Sequence, residues 1–244
     1  MNRRPSLATV VVGLVVVLAA LGLKAAFAQA GAGALSWVLT PSSELANRIG
    51  GLTLVPEAGA GYVMHAPRMI VGASCAGVNF LTIAWLALYA TIQARFSDAP
   101  RKLGAALGSG IAAYLATIAT NGVRIALAAE LYRRELDPAL ITPEGAHRLL
   151  GVLLYVPVLL GLCQLADRWV NRAALTRLTS LLVPYLIYLG VTLLLPLIHH
   201  AAGGRPDGFF HHAAVTISVG TAVLLGFALL SGRSDVRSRS DGSA

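Results

Sequence analysis

Long apolar segments of about twenty residues constrain this chain more than any other feature. They recur along its 244 residues, with short polar connectors between them. A helix rises about 1.5 Å per residue, so about twenty apolar residues are needed to cross a hydrocarbon core of roughly 30 Å. Only 12% of the residues are charged and 56% are hydrophobic, whereas about a quarter of a soluble domain is charged. We therefore expect an all-α, polytopic integral membrane bundle.

Six segments have the length and composition of membrane spans: 7–28, 71–92, 103–127, 145–166, 178–198 and 213–230. The sequence predicts one membrane-embedded domain over 1–230, followed by a disordered tail at 231–244 that is rich in Arg, Ser and Asp. The first segment has an alternative interpretation as a signal peptide, because Ala26-Phe27-Ala28 resembles a cleavage site. Its apolar part is longer than the usual signal-peptide core, which favours a retained span.

The basic residues predict the orientation of the spans. The net charge of +8 comes from 19 Lys and Arg against 11 Asp and Glu. An even number of spans puts both termini on one side, and eleven basic residues fall there: Arg3, Arg4, Arg95, Arg101, Lys102, Arg168, Arg172, Arg177, Arg233, Arg237 and Arg239. The positive-inside rule places that side in the cytoplasm. Connectors 29–70, 128–144 and 199–212 would then face outward. No basic stretch is interleaved with aromatic residues, so nothing indicates nucleic-acid binding.

The interval from 31 to 70 is the least hydrophobic long stretch before the second span. Residues Trp37 to Ile49 predict a short outer amphipathic helix, on which Val38, Leu45, Ala46 and Ile49 share a face. After it, 52–55 and 62–64 predict two short extended pieces around a Pro/Gly turn. An irregular loop is an equally good interpretation of this second part.

Three reactive or charged residues are predicted to lie at one depth of the membrane. Cys75 falls in the first turns of the second span, which enters from outside. Asn121 lies about 27 Å along the third span at 1.5 Å per residue, again at the outer boundary, and Arg124 follows three residues later. His147 falls in the first turn of the fourth span. Ionisable residues inside spans are functional-site candidates by default.

Each of these residues also has a structural interpretation when taken alone. A free cysteine is commonly a small buried hydrophobe, and we expect this of Cys163, deep in the fourth span. Arg124 could extend to the membrane interface, and His147 could be an ordinary residue at a helix start. With only two cysteines, the chain has neither a disulfide framework nor a CxxC motif. The functional interpretation therefore depends on the three residues together.

The order of these motifs resembles the exosortase/archaeosortase family. Ser74-Cys75-Ala76-Gly77 opens one span, Asn-x-x-Arg (121–124) lies near the outer end of the next, and His147 begins a third. Upstream, Thr40-Pro41, Gly50-Gly51 and the stretch 59–62 fit as well, so the resemblance covers about 37–155. The form CAGVNF is most similar to the short exosortase K subtype. A departure is Ala76, where Ser is frequent, which puts in doubt any role for a hydroxyl there.

The resemblance implies a membrane cysteine peptidase or transpeptidase in the bacterial cytoplasmic membrane, with its active site facing outward. Its partners would be exported proteins that carry a C-terminal motif, a transmembrane helix and a basic tail, and it would need no cofactor or metal. Carried onto this chain, Cys75 is the nucleophile, His147 the acid and base, and Arg124 the electrostatic partner. Asn79 and Asn121 are candidates for supporting positions.

A transporter or metal-binding protein without enzymatic activity is the alternative class. It would use the histidines of the last outer loop, His199, His200, His211 and His212. Neutral imidazoles bind Zn and Cu. Adjacent histidines point in different directions on a helix, however, and no regular ligand spacing emerges.

Overall fold

The structure is a computed structural model that describes residues 7–66, 68–134, 143–170, 177–194, 197 and 209–240. For 143–148, 177–179, 194, 209, 211–212 and 229–240 it describes the backbone alone. The helices are α1 (Leu7–Gln29), α2 (Ser36–Gly50), α3 (Val78–Ile92), α4 (Ala99–Arg133), α5 (Pro143–Val170), α6 (Arg177–Leu189) and α7 (Phe209–Ser240). The chain is therefore mostly helical, as predicted.

Among the described residues, four helical segments are long and apolar enough to cross a membrane. They are Leu7–Gln29, Ala73–Arg95, Ala99–Arg133 and Leu149–Val170. They correspond to the first four predicted spans. The apolar parts of the last two, Ser180–Leu193 and Ala213–Ala228, are shorter. Their helical nature matches the prediction, while their role as spans stays a prediction.

The chain divides into two compact units, Met1–Gly151 and Val152–Ala244. In the second unit, α6 is followed by a π-helical turn at Gly190–Leu194. The backbone of α7 stays helical to Ser240 and so includes 231–240 of the predicted tail. Residues 241–244 lie outside the described part.

Three short strands stand between α2 and α3. They are β1 (Val55–Glu57), β2 (Gly61–His65) and β3 (Arg68–Val71), paired antiparallel in the order β1-β2-β3. The sheet is an addition to the predicted all-α class. The predicted piece 62–64 lies within β2, whereas 52–55 mostly precedes β1 and overlaps it only at Val55. The third strand was missed because its apolar residues run directly into the predicted second span.

Helix α2 packs along α4. The contacts progress in the same direction on both helices: the Trp37 and Tyr114 rings stack with centroids 5.7 Å apart, and Gly50 lies against Ala126. A Cβ added to Gly122 would come within 2.8 Å of the Leu45 side chain. The predicted helix is therefore confirmed, and the absence of a side chain at position 122 permits its close approach to α4.

The buried face of α2 differs in part from the predicted one. Val38 and Ala46 are buried as expected, but Ile49 is 52% exposed. Leu39, Ser42 and Ser43 are buried in addition. Ser42 and Ser43 are buried because α2 is covered on more than one side, by α4 and by the residues around the sheet. The predicted one-sided apolar face would need only one neighbour.

Side-chain hydrogen bonds tie α2 to the strands and to α4. The Asn47 side chain donates to the Leu54 carbonyl at 3.0 Å and accepts from the Leu54 amide at 2.9 Å. The Tyr62 hydroxyl donates to Thr40 Oγ1 at 2.9 Å. The shared core of α2, the sheet and α4 includes Leu39, Met64 and Ile125. This core lies directly behind the chain segment that carries Cys75.

Helices α3 and α4 form an antiparallel hairpin, against which α1 packs. Trp85 Nε1 donates to the Ala106 carbonyl at 2.8 Å, which holds the middle of the hairpin together. One face of α4 is exposed and apolar, with Leu103, Leu107, Ile111 and Leu115 spaced four apart. Such a stripe suits contact with lipid tails. The opposite face is buried and carries the polar residues of the candidate site.

Candidate active site

Cys75 precedes helix α3, which corrects the prediction that it lies in the first turns of a helix. It ends a 3₁₀ turn, Ala73–Cys75, and its amide donates to the Gly72 carbonyl at 2.9 Å. Gly77 then adopts φ of 74°, a left-handed conformation that interrupts the helix and favours glycine. The α-helix begins only at Val78.

Because α3 begins only at Val78, Cys75 and Asn79 do not belong to one continuous helix. Four-apart residues share a face only within one continuous helix. Asn79 is exposed on α3, and the groups that contact the Cys75 carbonyl come from α4. The four-residue spacing therefore does not place Asn79 on one helix face with Cys75, and a supporting role for Asn79 stays a prediction.

Asn121 and Arg124 both reach Cys75 through its peptide carbonyl. Asn121 Nδ2 donates to that oxygen at 2.7 Å, and Arg124 Nη2 donates to it at 3.2 Å. Helix α4 is continuous through both residues, so they share a face as predicted. The structure thus brings three residues of the predicted site together, although the contact uses the backbone of Cys75.

The side chains that donate to the Cys75 carbonyl are buried, which strengthens the effect of the Arg124 charge. Asn121 is fully buried and Arg124 is 6% exposed. A charged side chain within an apolar bundle is costly unless it has partners, and hydrogen bonds to charged donors are stronger than neutral ones. Cys75 itself is partly exposed, with its Sγ 3.9 Å from Ser74 Oγ. A buried cation therefore lies next to an accessible thiol-bearing residue.

Gly77 is a site residue that the sequence analysis did not single out. A Cβ at this position would lie 3.2 Å from Thr117 Cγ2 and 3.3 Å from Asn121 Cγ. With a side chain at position 77, Thr117 and Asn121 would have to shift by a few tenths of an ångström, and the φ of residue 77 would be strained in addition. The signal in the sequence was a glycine directly before an apolar helix and two residues after a cysteine.

Of the other residues singled out in the sequence, Cys163 and Ala76 are described with their side chains, and His147 with its backbone alone. Cys163 lies on α5 and is fully buried, in agreement with its interpretation as a packing residue. His147 belongs to the first turns of α5, but its side chain lies outside the described residues. Ala76 is fully buried, so the position has no room to present a hydroxyl to solvent.

The four histidines on which the transporter or metal-binding alternative depends lie wholly or partly outside the described residues. This holds for His199 and His200 entirely, and for the side chains of His211 and His212 on α7. Within the described residues, no group of three or more His, Cys, Asp or Glu side chains could hold a metal ion.

Comparisons of the chain with protein-family models, with curated proteins and with solved structures found no significant match.

Proposed function

We propose that this protein is a membrane cysteine peptidase or transpeptidase that removes the C-terminal sorting signal of exported proteins. One observation carries the proposal: the buried guanidinium of Arg124 is hydrogen-bonded to the residue that bears a partly exposed thiol. Thiols react as thiolates, and a neighbouring cation stabilises the thiolate. An accessible thiol beside a buried cation is an arrangement suited to acyl transfer.

The reaction begins with attack of the Cys75 sulfur on the scissile carbonyl. His147 takes the thiol proton and gives it to the leaving amine, so that a C–S bond forms while the C–N bond breaks. The acyl group then rests on Cys75 as a thioester. Water or an amine on an envelope component attacks this thioester, and the thiol is regenerated. Positive charge near the tetrahedral oxyanion contributes about 3–4 kcal/mol in comparable sites.

The proposed substrate class is the one that the exosortase/archaeosortase resemblance implies, and the proposed topology supports it. With six spans and both termini in the cytoplasm, Cys75 would lie at the outer boundary of the membrane. A peptide anchored by a C-terminal helix would meet the thiol where it leaves the bilayer. A basic tail after that helix would keep the helix oriented with its end in the cytoplasm. Exported proteins with a short motif, one transmembrane helix and a basic tail, which are the substrates that the resemblance implies, would fit this arrangement.

The test compares two single-cysteine losses in the native host. Exported proteins with that C-terminal arrangement should accumulate uncut in Cys75→Ala cells, as measured by C-terminal peptide mass spectrometry of the envelope. Cys163→Ala is the matched control, because it removes the other thiol from a buried position, and it should leave processing intact. Normal processing in Cys75→Ala cells would end the proposal.

The same assay addresses the transporter or metal-binding alternative. Replacing His199, His200, His211 and His212 together with alanine removes the feature on which that alternative depends. We expect processing to survive this replacement. Loss of processing in the histidine variant, with normal processing in Cys75→Ala, would favour the alternative class.

A further inference from the structure

We propose that Asn121 is a positioning residue: together with Arg124, it holds the peptide carbonyl of Cys75 and thereby fixes the direction of the thiol. The inference rests on the proposed function, because it concerns the same nucleophile. It assigns to Asn121 an effect that passes through the backbone of Cys75 and involves no contact with reacting atoms.

Two buried side chains, Asn121 and Arg124, donate to the same acceptor, the peptide oxygen of Cys75. A carbonyl oxygen has two lone pairs, and the Cys75 oxygen accepts from Asn121 at 2.7 Å and from Arg124 at 3.2 Å. Asn121 is fully buried, so water does not replace the Cys75 oxygen as its acceptor. Removing the Asn121 donor leaves this oxygen with the longer bond from Arg124, so the carbonyl is held by one donor in place of two.

The Cys75 carbonyl lies between two backbone segments, the 3₁₀ turn and helix α3. On its N-terminal side, the Cys75 amide donates to the Gly72 carbonyl within the 3₁₀ turn. On its C-terminal side, the chain passes through left-handed Gly77, and the Leu81 amide donates to the Gly77 carbonyl within α3. The Cys75 carbonyl is the group between these two segments, and its donors come from α4.

Holding the Cys75 carbonyl also restricts the direction of the Cys75 thiol. The peptide groups on both sides of Cys75 are held, one by Gly72 and the other by Asn121 and Arg124. The backbone dihedrals of Cys75 are then fixed, and so is the direction of its Cα–Cβ bond. The sulfur keeps only a choice among staggered rotamers. Attack on a carbonyl requires aligned atoms, and a misplacement of about 1 Å costs on the order of 10²-fold in rate.

Variants of Asn121 test this without changing the charge of Arg124. Asn121→Leu removes the donor, and Asn121→Asp keeps the shape but offers only acceptors when ionised. Thr117→Val is the matched control: it lies one turn earlier on the same buried face, and its hydroxyl donates to the Ala113 carbonyl of its own helix at 2.7 Å. The two Asn121 variants together cover the case in which one of them does not fold.

Infrared spectroscopy measures the hydrogen bond directly. The full chain with Cys163→Ala, grown with carbonyl-¹³C cysteine, has a single labelled peptide group at Cys75. Loss of the Asn121 donor should shift its amide I band to higher wavenumber in Asn121→Leu and Asn121→Asp. The band should stay in place in Thr117→Val. An unshifted band in both Asn121 variants overturns the inference, whatever the reaction is.

Two rates separate positioning from general damage. Labelling of Cys75 by N-ethylmaleimide requires no defined approach, so Asn121→Leu should keep the labelling rate. Processing of the exported proteins should fall by on the order of 10²-fold. Equal loss of both rates, or loss of neither, contradicts a positioning role. Normal processing in Cys75→Ala would refute the proposed function instead, while leaving the infrared result valid.

Discussion

Arg124 donates through Nη2 to the peptide carbonyl of Cys75 at 3.2 Å, although 49 residues separate the two in the chain. This bond joins the turn after β3 to the buried face of α4. It also makes the backbone around Cys75 depend on a charged side chain that is 6% exposed. The turn, the glycine that follows it and α4 therefore act as one structural unit, whose parts can be tested separately.

The reactivity of the two cysteines should differ strongly. Cys75 is partly exposed and Cys163 is fully buried. A fully buried thiol reacts only when the structure opens locally, so N-ethylmaleimide should label Cys75 at least about tenfold faster than Cys163. Mass spectrometry of the two peptides in the reconstituted protein measures both rates in one sample. Similar rates would mean that Cys75 is as inaccessible as a core residue.

Replacing Gly77 should disturb the turn more than replacing other glycines. Gly77→Ala introduces a Cβ near Thr117 and Asn121 at a left-handed φ, which costs about 1–2 kcal/mol from the backbone alone. We expect a lower unfolding temperature and impaired processing. Gly108→Ala is the control, because a Cβ on this α4 glycine meets nothing within 4 Å, and it should leave the unfolding temperature unchanged or raise it. Equal effects would show that the turn is not tightly packed.

The contact between Gly122 and Leu45 should behave as a coupled pair. Gly122→Ala places a Cβ within 3 Å of the Leu45 side chain, and overpacking of this kind costs about 1–3 kcal/mol. The double variant with Leu45→Ala should recover part of that loss, because the opposing side chain is shortened. A double-mutant cycle on unfolding free energies measures the coupling. Strictly additive losses would argue against α2 packing on α4 at this point.

The membrane topology should show in reporter fusions. Fusions after Ser97 and after Arg172 should report the cytoplasm, and a fusion after Asp137 should report the outside, as the distribution of basic residues predicts. A fusion after Ser97 that reports the outside would place Cys75 on the cytoplasmic side. The proposed substrates, which meet the thiol as they leave the bilayer, would then be excluded.

Hydropathy and helical periodicity were sufficient to predict part of the site. The continuous apolar run through α4 placed Asn121 and Arg124 on one face, and their three-residue spacing survives in the structure. The same method failed at Cys75, because glycines within an apolar run do not reveal whether the helix has begun. The left-handed Gly77 separates turn from helix, and a backbone conformation of this kind has no hydropathy signal.

The prediction for helix α2 was incomplete for a different reason. Its sequence is amphipathic enough to suggest a position on the membrane surface, and the helix itself was predicted. Its packing depends on Gly122, 77 residues after Leu45, and on the stacked pair Trp37 and Tyr114. Contacts between segments so far apart in the chain override the local pattern. Buried Ser42 and Ser43 show the result, since no local rule predicts them in a core.

Two substitutions of Arg124 should separate its charge from its hydrogen bond. Arg124→Lys keeps a positive charge but loses the planar fork, whereas Arg124→Gln removes the charge and keeps a neutral amide donor on a shorter side chain. If charge contributes to the chemistry, Arg124→Lys should retain more N-ethylmaleimide labelling of Cys75 than Arg124→Gln, because a cation stabilises the thiolate. Both should process exported proteins more slowly, by up to roughly 10²–10³-fold if Arg124 also stabilises the oxyanion.

The control for these substitutions is Arg134→Ala. Arg134 lies at the end of the same helix, is 70% exposed and pairs with Glu130 at 2.9 Å, a surface ion pair worth at most about 1 kcal/mol. It should change neither labelling nor processing. Equal labelling in the Lys and Gln variants, both matching the unmodified protein, would leave Arg124 with its hydrogen bond to the backbone and no electrostatic part in the reaction.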